Sequence, residues 1–362
     1  MEMASLKRLM AFAGIAALGL GLAACSRDIT NVEQVVAGPQ ACFECHTDTT
    51  TFMVAAEQQW EHSKHASGET LNENDGECKG CHTSEGFVAR ATETTIPDMV
   101  ENPTSIHCFT CHAPHTNGDF RVRWTATATL KNGTTYDLKG GNLCAACHRS
   151  RRNVQVYIAA APARTTMSQY WGPHIGPQAD MLIGSNGYEY ADYTYERSNH
   201  RSATVDGCLD CHMKTTSQNV VGGHSFNMAY DTEGGEILNT AACAKCHGEI
   251  DDFSEVGVGT GLSQDDVDGL ITDLQDRLVT ANLITVGAGD GVTPNSITTS
   301  ADSAGAVYNL LLAKNDRSEG VHNPKYIAGL LQSSIDFITG PITPGKTAAH
   351  AQRAMSSPKD RR

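Results

Sequence analysis

The chain has 362 residues, a formal net charge of −14, and only 6% aromatic residues beside 34 glycines. Apart from Arg149, Arg151, Arg152 and a short tail at Lys359 to Arg362 its cations are scattered, which excludes nucleic acid as a partner. So few aromatic side chains are poor material for a large hydrophobic core, and something other than side chains is expected to fill the interior.

Residues 1–24 read as a signal peptide: Lys7 and Arg8 precede an apolar run from Met10 to Ala24, which is too short and too rich in Gly and Ala to span a membrane. It ends at Leu22-Ala23-Ala24-Cys25, which resembles the lipobox of bacterial lipoproteins and predicts a diacylated Cys25 as the first mature residue. Residues 25–38 would then be a lipid-anchored linker, with the protein tethered to the outer or inner membrane and facing the periplasm or the cell surface. An ordinary secretory signal would export the chain as well. No later stretch has the roughly 18 consecutive apolar residues of a membrane helix.

From residue 39 to 250 the sequence is organised by one motif, Cys-x-x-Cys-His, met six times. The cysteines are Cys42/Cys45, Cys78/Cys81, Cys108/Cys111, Cys144/Cys147, Cys208/Cys211 and Cys243/Cys246, followed by His46, His82, His112, His148, His212 and His247. Two thiols three positions apart can add to the two vinyl groups on one haem edge, and the adjacent imidazole then lies under the iron as its proximal ligand. Zinc ribbons, redox Cys-x-x-Cys pairs and disulfide frameworks have no use for a histidine at that position in every instance. The expectation is six covalently attached haem c groups. One haem per roughly 56 residues is far denser than one per ordinary domain, so the haems should form the core of a mainly α fold with few strands, its short helices and loops wrapped around them.

A second protein ligand on each iron makes a haem an electron carrier, whereas an open face lets it bind a small molecule. Nine histidines lie outside the motifs. Local context singles out His65 in "WEHSKHASG", on an expected helix that includes Trp60, with His62 as its rival; His115 in "CHAPHT", too close to its own haem but able to reach a neighbour; and His174, set between two Gly-Pro pairs. His200 and His224 flank the fifth motif, and His322 precedes a C-terminal helix. His107 directly precedes Cys108 and is weaker, His350 sits in a polar tail, and Met213 and Met228 are the alternative distal ligands.

Between the third and fourth motifs, residues 119–141 alternate around Asn132-Gly133, which predicts one β-hairpin, read as a surface flap. Tyr188, Tyr190, Tyr193 and Tyr195 read as packing around cofactors, with a proton donor as the other option. Residues 251–346 form a helical segment. Ser263 caps a helix carrying Val267, Leu270, Ile271, Leu274 and Leu278 at helical spacing; "ADSAGAVYNLLLAKN" and "NPKYIAGLLQSSIDFI" read as two more, the last with Pro324 in its first turn. A loop is expected over residues 287–300, and residues 347–362 read as a disordered tail.

"WEHSKHA", "CFTCHAPH", "CLDCHMK" followed by "GGHSF", and "GVHNPKYIAGLL" resemble the multihaem c-type cytochrome superfamily, which includes pentahaem nitrite reductases, octahaem hydroxylamine-type enzymes and tetrahaem carriers. The resemblance covers most of the chain from about Pro39 to Gly340. It implies a multihaem cytochrome c fold, and it implies His65, His115, His174, His200, His224 and His322 as distal ligands. The Cys-x-x-Cys-Lys motif usual beneath the catalytic haem of the nitrite reductases is absent. The expected function is therefore electron transfer between redox protein partners. Oxidation or reduction of a small nitrogen or sulfur compound at one open haem, and a subunit role in an extracellular cytochrome filament, stay open alternatives, as does a homo-oligomer.

Overall fold

The computed structural model describes residues 51–158 and 164–339, all within the unit His46–Arg362. The expected signal peptide, linker and tail, with Cys25, Cys42, Cys45, His46 and His350, lie outside the described residues. Among the described residues five helices exceed two turns: α1 (Thr51–Glu61), α2 (Ser84–Ala91), α3 (Gln264–Thr280), α4 (Ala301–Asp316) and α5 (Pro324–Thr339). Eight short strands form four separate two-stranded ladders. No helix among the described residues is long and apolar enough to cross a membrane.

The three C-terminal helices form where their caps and apolar spacing place them. Ser263 Oγ accepts from the Asp266 N–H at 3.2 Å while Asp266 Oδ2 accepts from the Ser263 N–H at 3.2 Å, so two orphan donors are satisfied at the start of α3. Its buried face is Val267, Leu270, Ile271, Leu274 and Leu278, the set the periodicity predicts. Ser300 caps α4, whose residues from Ala304 to Ala313 are all buried, as befits the central helix of a packed layer. Asn323 Oδ1 accepts from the Tyr326 N–H at 3.3 Å ahead of α5, with Pro324 in the first turn where no N–H is needed.

These helices enclose a conventional apolar core. Leu274, Leu278, Leu310, Leu330 and Tyr308 are fully buried. The long interval between the fourth and fifth motifs joins them, supplying Val154, Ile158, Met167, Trp171, Met181 and Tyr195 to the same cluster. It is held there by β3 (Arg164–Thr166), which pairs antiparallel with β8 (Thr298–Ser300), Thr165 opposite Thr299. The four tyrosines of this interval turn to the C-terminal helices. Tyr188 donates to Asp302 Oδ1 at 2.6 Å, Tyr193 to Asp336 Oδ2 at 2.9 Å and Tyr195 to Ser333 Oγ at 3.0 Å.

Three ladders are local hairpins rather than the one expected. β1 (Ala128–Thr129) pairs with β2 (Thr135–Tyr136) across a turn with Gly133 at φ 86, near the predicted Asn132-Gly133. It is no flap: Tyr136 is fully buried and its hydroxyl lies 3.3 Å from Cys208 Sγ in the fifth motif. β4 (Ala229–Thr232) pairs with β5 (Gly235–Leu238), and β6 (Ile284–Val286) with β7 (Val292–Pro294). The second of these, together with β8, occupies much of the expected loop at 287–300, because its Thr and Val residues favour extended backbone once a neighbour supplies the ladder.

Candidate haem-binding sites

Each described motif coils into a single helical turn. The histidine N–H donates to the carbonyl of the first cysteine in the second, third, fourth and sixth motifs, at 3.1, 2.9, 2.8 and 3.0 Å for His82, His112, His148 and His247. That turn brings the two thiols, three residues apart, to one side and sends the imidazole from the next position. The ten described cysteines are free thiols, none in a disulfide.

Eight of these cysteines are half-buried, among them Cys108, Cys111 and Cys243, but Cys78 and Cys246 are exposed. At the sixth motif His247 is exposed as well, so the turn that carries Cys243, Cys246 and His247 stands at the surface. The turn itself is formed all the same, the Cys246 N–H donating to the Cys243 carbonyl at 3.0 Å.

Five motif histidines each face a histidine from elsewhere in the chain. Ring centroids are 6.2 Å apart for His82 and His174, 6.3 Å for His112 and His224, 6.0 Å for His65 and His148, 6.2 Å for His212 and His322, and 6.0 Å for His200 and His247. Imidazole nitrogen binds a metal at about 2 Å, and with about 1.1 Å from each nitrogen to its ring centre two axial imidazoles on one iron span about 6 Å. The observed spacing fits that arrangement.

The outward ring nitrogens point the same way. His174 Nδ1 donates to the Ile175 carbonyl at 2.7 Å, His200 Nδ1 to that of Val321 at 2.6 Å, His212 Nδ1 to that of Phe226 at 2.8 Å, and His148 Nδ1 to Gln178 Oε1 at 3.2 Å. His322 Nδ1 donates instead to the carboxylate Asp316 Oδ1 at 2.8 Å. Fixing the proton on Nδ1 leaves the Nε2 lone pair for a metal. Desolvation pushes His65 and His212 down to about 4, and also lowers His82, His148, His200 and His224, so these rings are neutral, as a ligand must be. At His322 desolvation opposes the charge, but the Asp316 carboxylate outweighs it and the pKa rises.

The other non-motif histidines face no imidazole among the described residues. His65 lies on a separate turn, Lys64–Ser67, rather than on the helix with Trp60, because Ser63 caps a new start after α1 ends. His62, its rival, meets the Tyr230 ring edge-on with Nδ1 3.3 Å from the hydroxyl. His107 caps the third motif, its Nδ1 accepting from the Phe109 N–H at 3.3 Å. His115 is exposed, its ring 5.9 Å from that of Phe109. His174 takes φ 78, a costly conformation for a residue other than glycine, which marks a position held for its side chain.

The motifs also touch one another. Arg90 joins the second and fourth motifs, Nη1 3.3 Å from Cys81 Sγ and Nη2 3.6 Å from Cys147 Sγ. The turn Cys208–His212 packs against the turn Gly141–Ala145, which carries Cys144. Asn239 Nδ2 donates to the Cys211 carbonyl at 3.3 Å just ahead of the sixth motif. Phe226, at φ 57, stands between three pairs: its ring is 5.2 Å from His65 and 6.1 Å from His224, and its carbonyl holds His212. Sequence reasoning missed Phe226, Arg90 and Asp316, since no motif surrounds them. Arg90 Nε, Arg123 Nε, Arg149 Nε and His107 Nε2 are buried donors without an acceptor among the described residues, suited to the carboxylates of a haem.

No protein-family model matches the chain. It is 24% identical over 335 residues to the C-type polyheme cytochrome OmcC of Geobacter sulfurreducens, covering 73% of this chain and 43% of that protein. It is 22% identical over 373 residues to the C-type polyheme cytochrome OmcB of the same organism, covering 83% and 48%. The chain thus spans less than half the length of these relatives. The crystal structure of the outer cell wall cytochrome OcwA superposes with a TM-score of 0.50 at 21% identity, over 77% of this chain and 49% of that one. In its Cys-x-x-Cys-His motifs and its facing imidazoles the chain is similar to the multihaem c-type cytochromes it matches, and it shares the fold of one of them.

Proposed function

We propose that the chain is an exported electron-transfer protein with six haem c groups, each iron held between two histidines, that passes electrons between redox protein partners. The observation that carries this reading is the pairing of five motif histidines with five others at one spacing. Bound there, haem c supplies a one-electron couple. The cysteines, the exposed Cys78 and Cys246 included, would tether it by thioethers; His82 with His174, His112 with His224, His148 with His65, His212 with His322 and His247 with His200 would hold its iron; Arg90, Arg123 and Arg149 would neutralise its carboxylates. For the first motif, His46 with His115 is the proposed pair. His115 is exposed, and Phe120, five residues on, meets Phe52 at the start of α1 with ring centroids 5.6 Å apart.

The tethers suggest an order. Contacts run from the second motif to the fourth through Arg90, from the fourth to the fifth through the packed turns that carry Cys144 and Cys208, and from the fifth to the sixth around Asn239, while Phe226 links the third pair to the fourth. The fourth motif is therefore a junction with three neighbours. A lipid on Cys25 would anchor the protein to a membrane outside the cytoplasm, and the outer cell wall in the name of the structural neighbour favours that side. Low-temperature electron paramagnetic resonance of the oxidised holoprotein, with haem counted on the same sample, tests the reading. Six low-spin irons and a reduced spectrum unmoved by carbon monoxide are expected; a high-spin iron that binds carbon monoxide would make that haem an active-site candidate.

A further inference from the structure

The histidines assigned as ligands do not have equivalent partners behind them. Where the outward nitrogen has an acceptor, that acceptor is a backbone carbonyl for His174, His200 and His212 and a neutral amide for His148. Among the described histidines, the ring of His322 alone is seen to donate to a carboxylate, Asp316 Oδ1, at 2.8 Å. A charged acceptor makes a stronger hydrogen bond than a neutral one.

Asp316 is also an unfavourable residue for its place. It is 3% exposed and ends the 16-residue helix α4, where the carbonyl dipoles already carry negative charge and a cation would be favoured. Its partners among the described residues are the His322 ring and the Ser318 hydroxyl, which donates to Oδ2; no lysine or arginine pairs with it. A buried carboxylate without a compensating cation is costly, and such a violation of local preference marks a residue kept for a site.

We propose that Asp316 is a positioning residue that gives the iron held by His212 and His322 the lowest reduction potential among the five irons with described ligand pairs. The inference rests on the bis-histidine reading above. The carboxylate draws on the Nδ1–H bond and makes the imidazole a more basic ligand. An iron(III) porphyrin with two neutral imidazoles carries one net positive charge that reduction removes, so a fixed anion behind the ligand favours the oxidised state. Hydrogen bonding to axial ligands and local charge are recognised levers on haem potential. Ser318, by donating to the other oxygen, moderates the effect.

The test is a potentiometric titration of the holoprotein followed by visible spectroscopy and electron paramagnetic resonance. Asp316→Asn should leave every iron low-spin and move one transition upward, changing the oxidised-to-reduced ratio at fixed potential tenfold or more, about 59 mV for one electron. Ser318→Ala should move the same transition downward, and it carries the test if Asp316→Asn does not fold. A merely structural role for Asp316 would lower stability or haem loading without displacing a single transition. Titrations coinciding with wild type in the folded variants would overturn the inference, as would a shift of all transitions together. His322→Ala separates this from the parent reading: one iron should become high-spin and bind carbon monoxide. If His322→Ala leaves every iron low-spin, the ligand assignment falls and the tuning falls with it; if it behaves as expected while Asp316→Asn changes nothing, the tuning alone is wrong.

Discussion

From Val267 to Ile335 the buried apolar residues are leucines, isoleucines, valines, alanines and tyrosines in one continuous cluster, completed by Trp171 and Met181 from the interval between motifs. From Phe87 to Leu182 the other buried apolar residues form two small groups, one around Tyr136 and one around Phe87. In that second region the positions a core would occupy are taken by half-buried cysteines and by facing imidazoles about one iron apart. One part of the chain organises itself by burying hydrocarbon, each fully buried leucine contributing about 1.5–3 kcal/mol; the other spaces its ligands so that a cofactor completes the interior. A chain of low aromatic content can hold both because the costly apolar residues are concentrated where no cofactor is held.

The largest effect expected from this contrast comes from preventing haem attachment. With the motif cysteines replaced by alanine, amides of residues 78–148 and 208–247 should lose their protection from hydrogen exchange, while α3, α4 and α5 keep slowly exchanging amides. Uniform loss, or uniform retention, would break the comparison. Next, Leu310→Ala in the fully buried face of α4 should cost about 2–5 kcal/mol in denaturant unfolding, with the haem absorption spectrum unmoved. Gly222 tests the opposite side. It has φ 68, and a Cβ there would meet the Lys214 carbonyl oxygen at 2.0 Å. Gly222→Ala should cost about 1–3 kcal/mol from backbone strain alone and displace His224, seen as one iron turned high-spin. The smallest effect is Ser263→Ala, about 1 kcal/mol of stability from the lost cap of α3, with no change at any iron.

Much of the C-terminal region was legible because its signals are local. Ser263, Ser300 and Pro324 announce helix starts within a few residues of themselves, and the spacing from Val267 to Leu278 fixes the buried face of α3. The cysteine motifs are local too, which is why haem attachment could be read directly. How deep each motif sits is not local: Cys147 and Cys246 occupy the same place in the same motif, yet one is half-buried against the second motif and the other is exposed. Histidine context picked out His65, His174, His200, His224 and His322, and each lies opposite a motif imidazole; which stands opposite which depends on how distant segments pack, and nothing in the neighbourhood of His174 names His82. The same limit hid the pairing of β3 with β8, whose registers are set by the helices carrying them. It also hid Asp316, an ordinary helix-end residue until His322 is folded back onto it.

Those long-range pairings have a consequence for synthesis. A chain made from its N-terminus first presents His82 before His174, His112 before His224 and His212 before His322, whereas His148 and His247 emerge with their partners already made. The arcs cross, so motifs two and three wait for residues beyond motif four, and the fifth waits for a residue beyond the sixth. Val321 and His322 serve the sixth and fifth pairs at adjacent positions, one by its carbonyl and the other by its ring. The segment between α4 and α5 thus acts as a latch: its arrival closes the last two of the facing imidazole pairs.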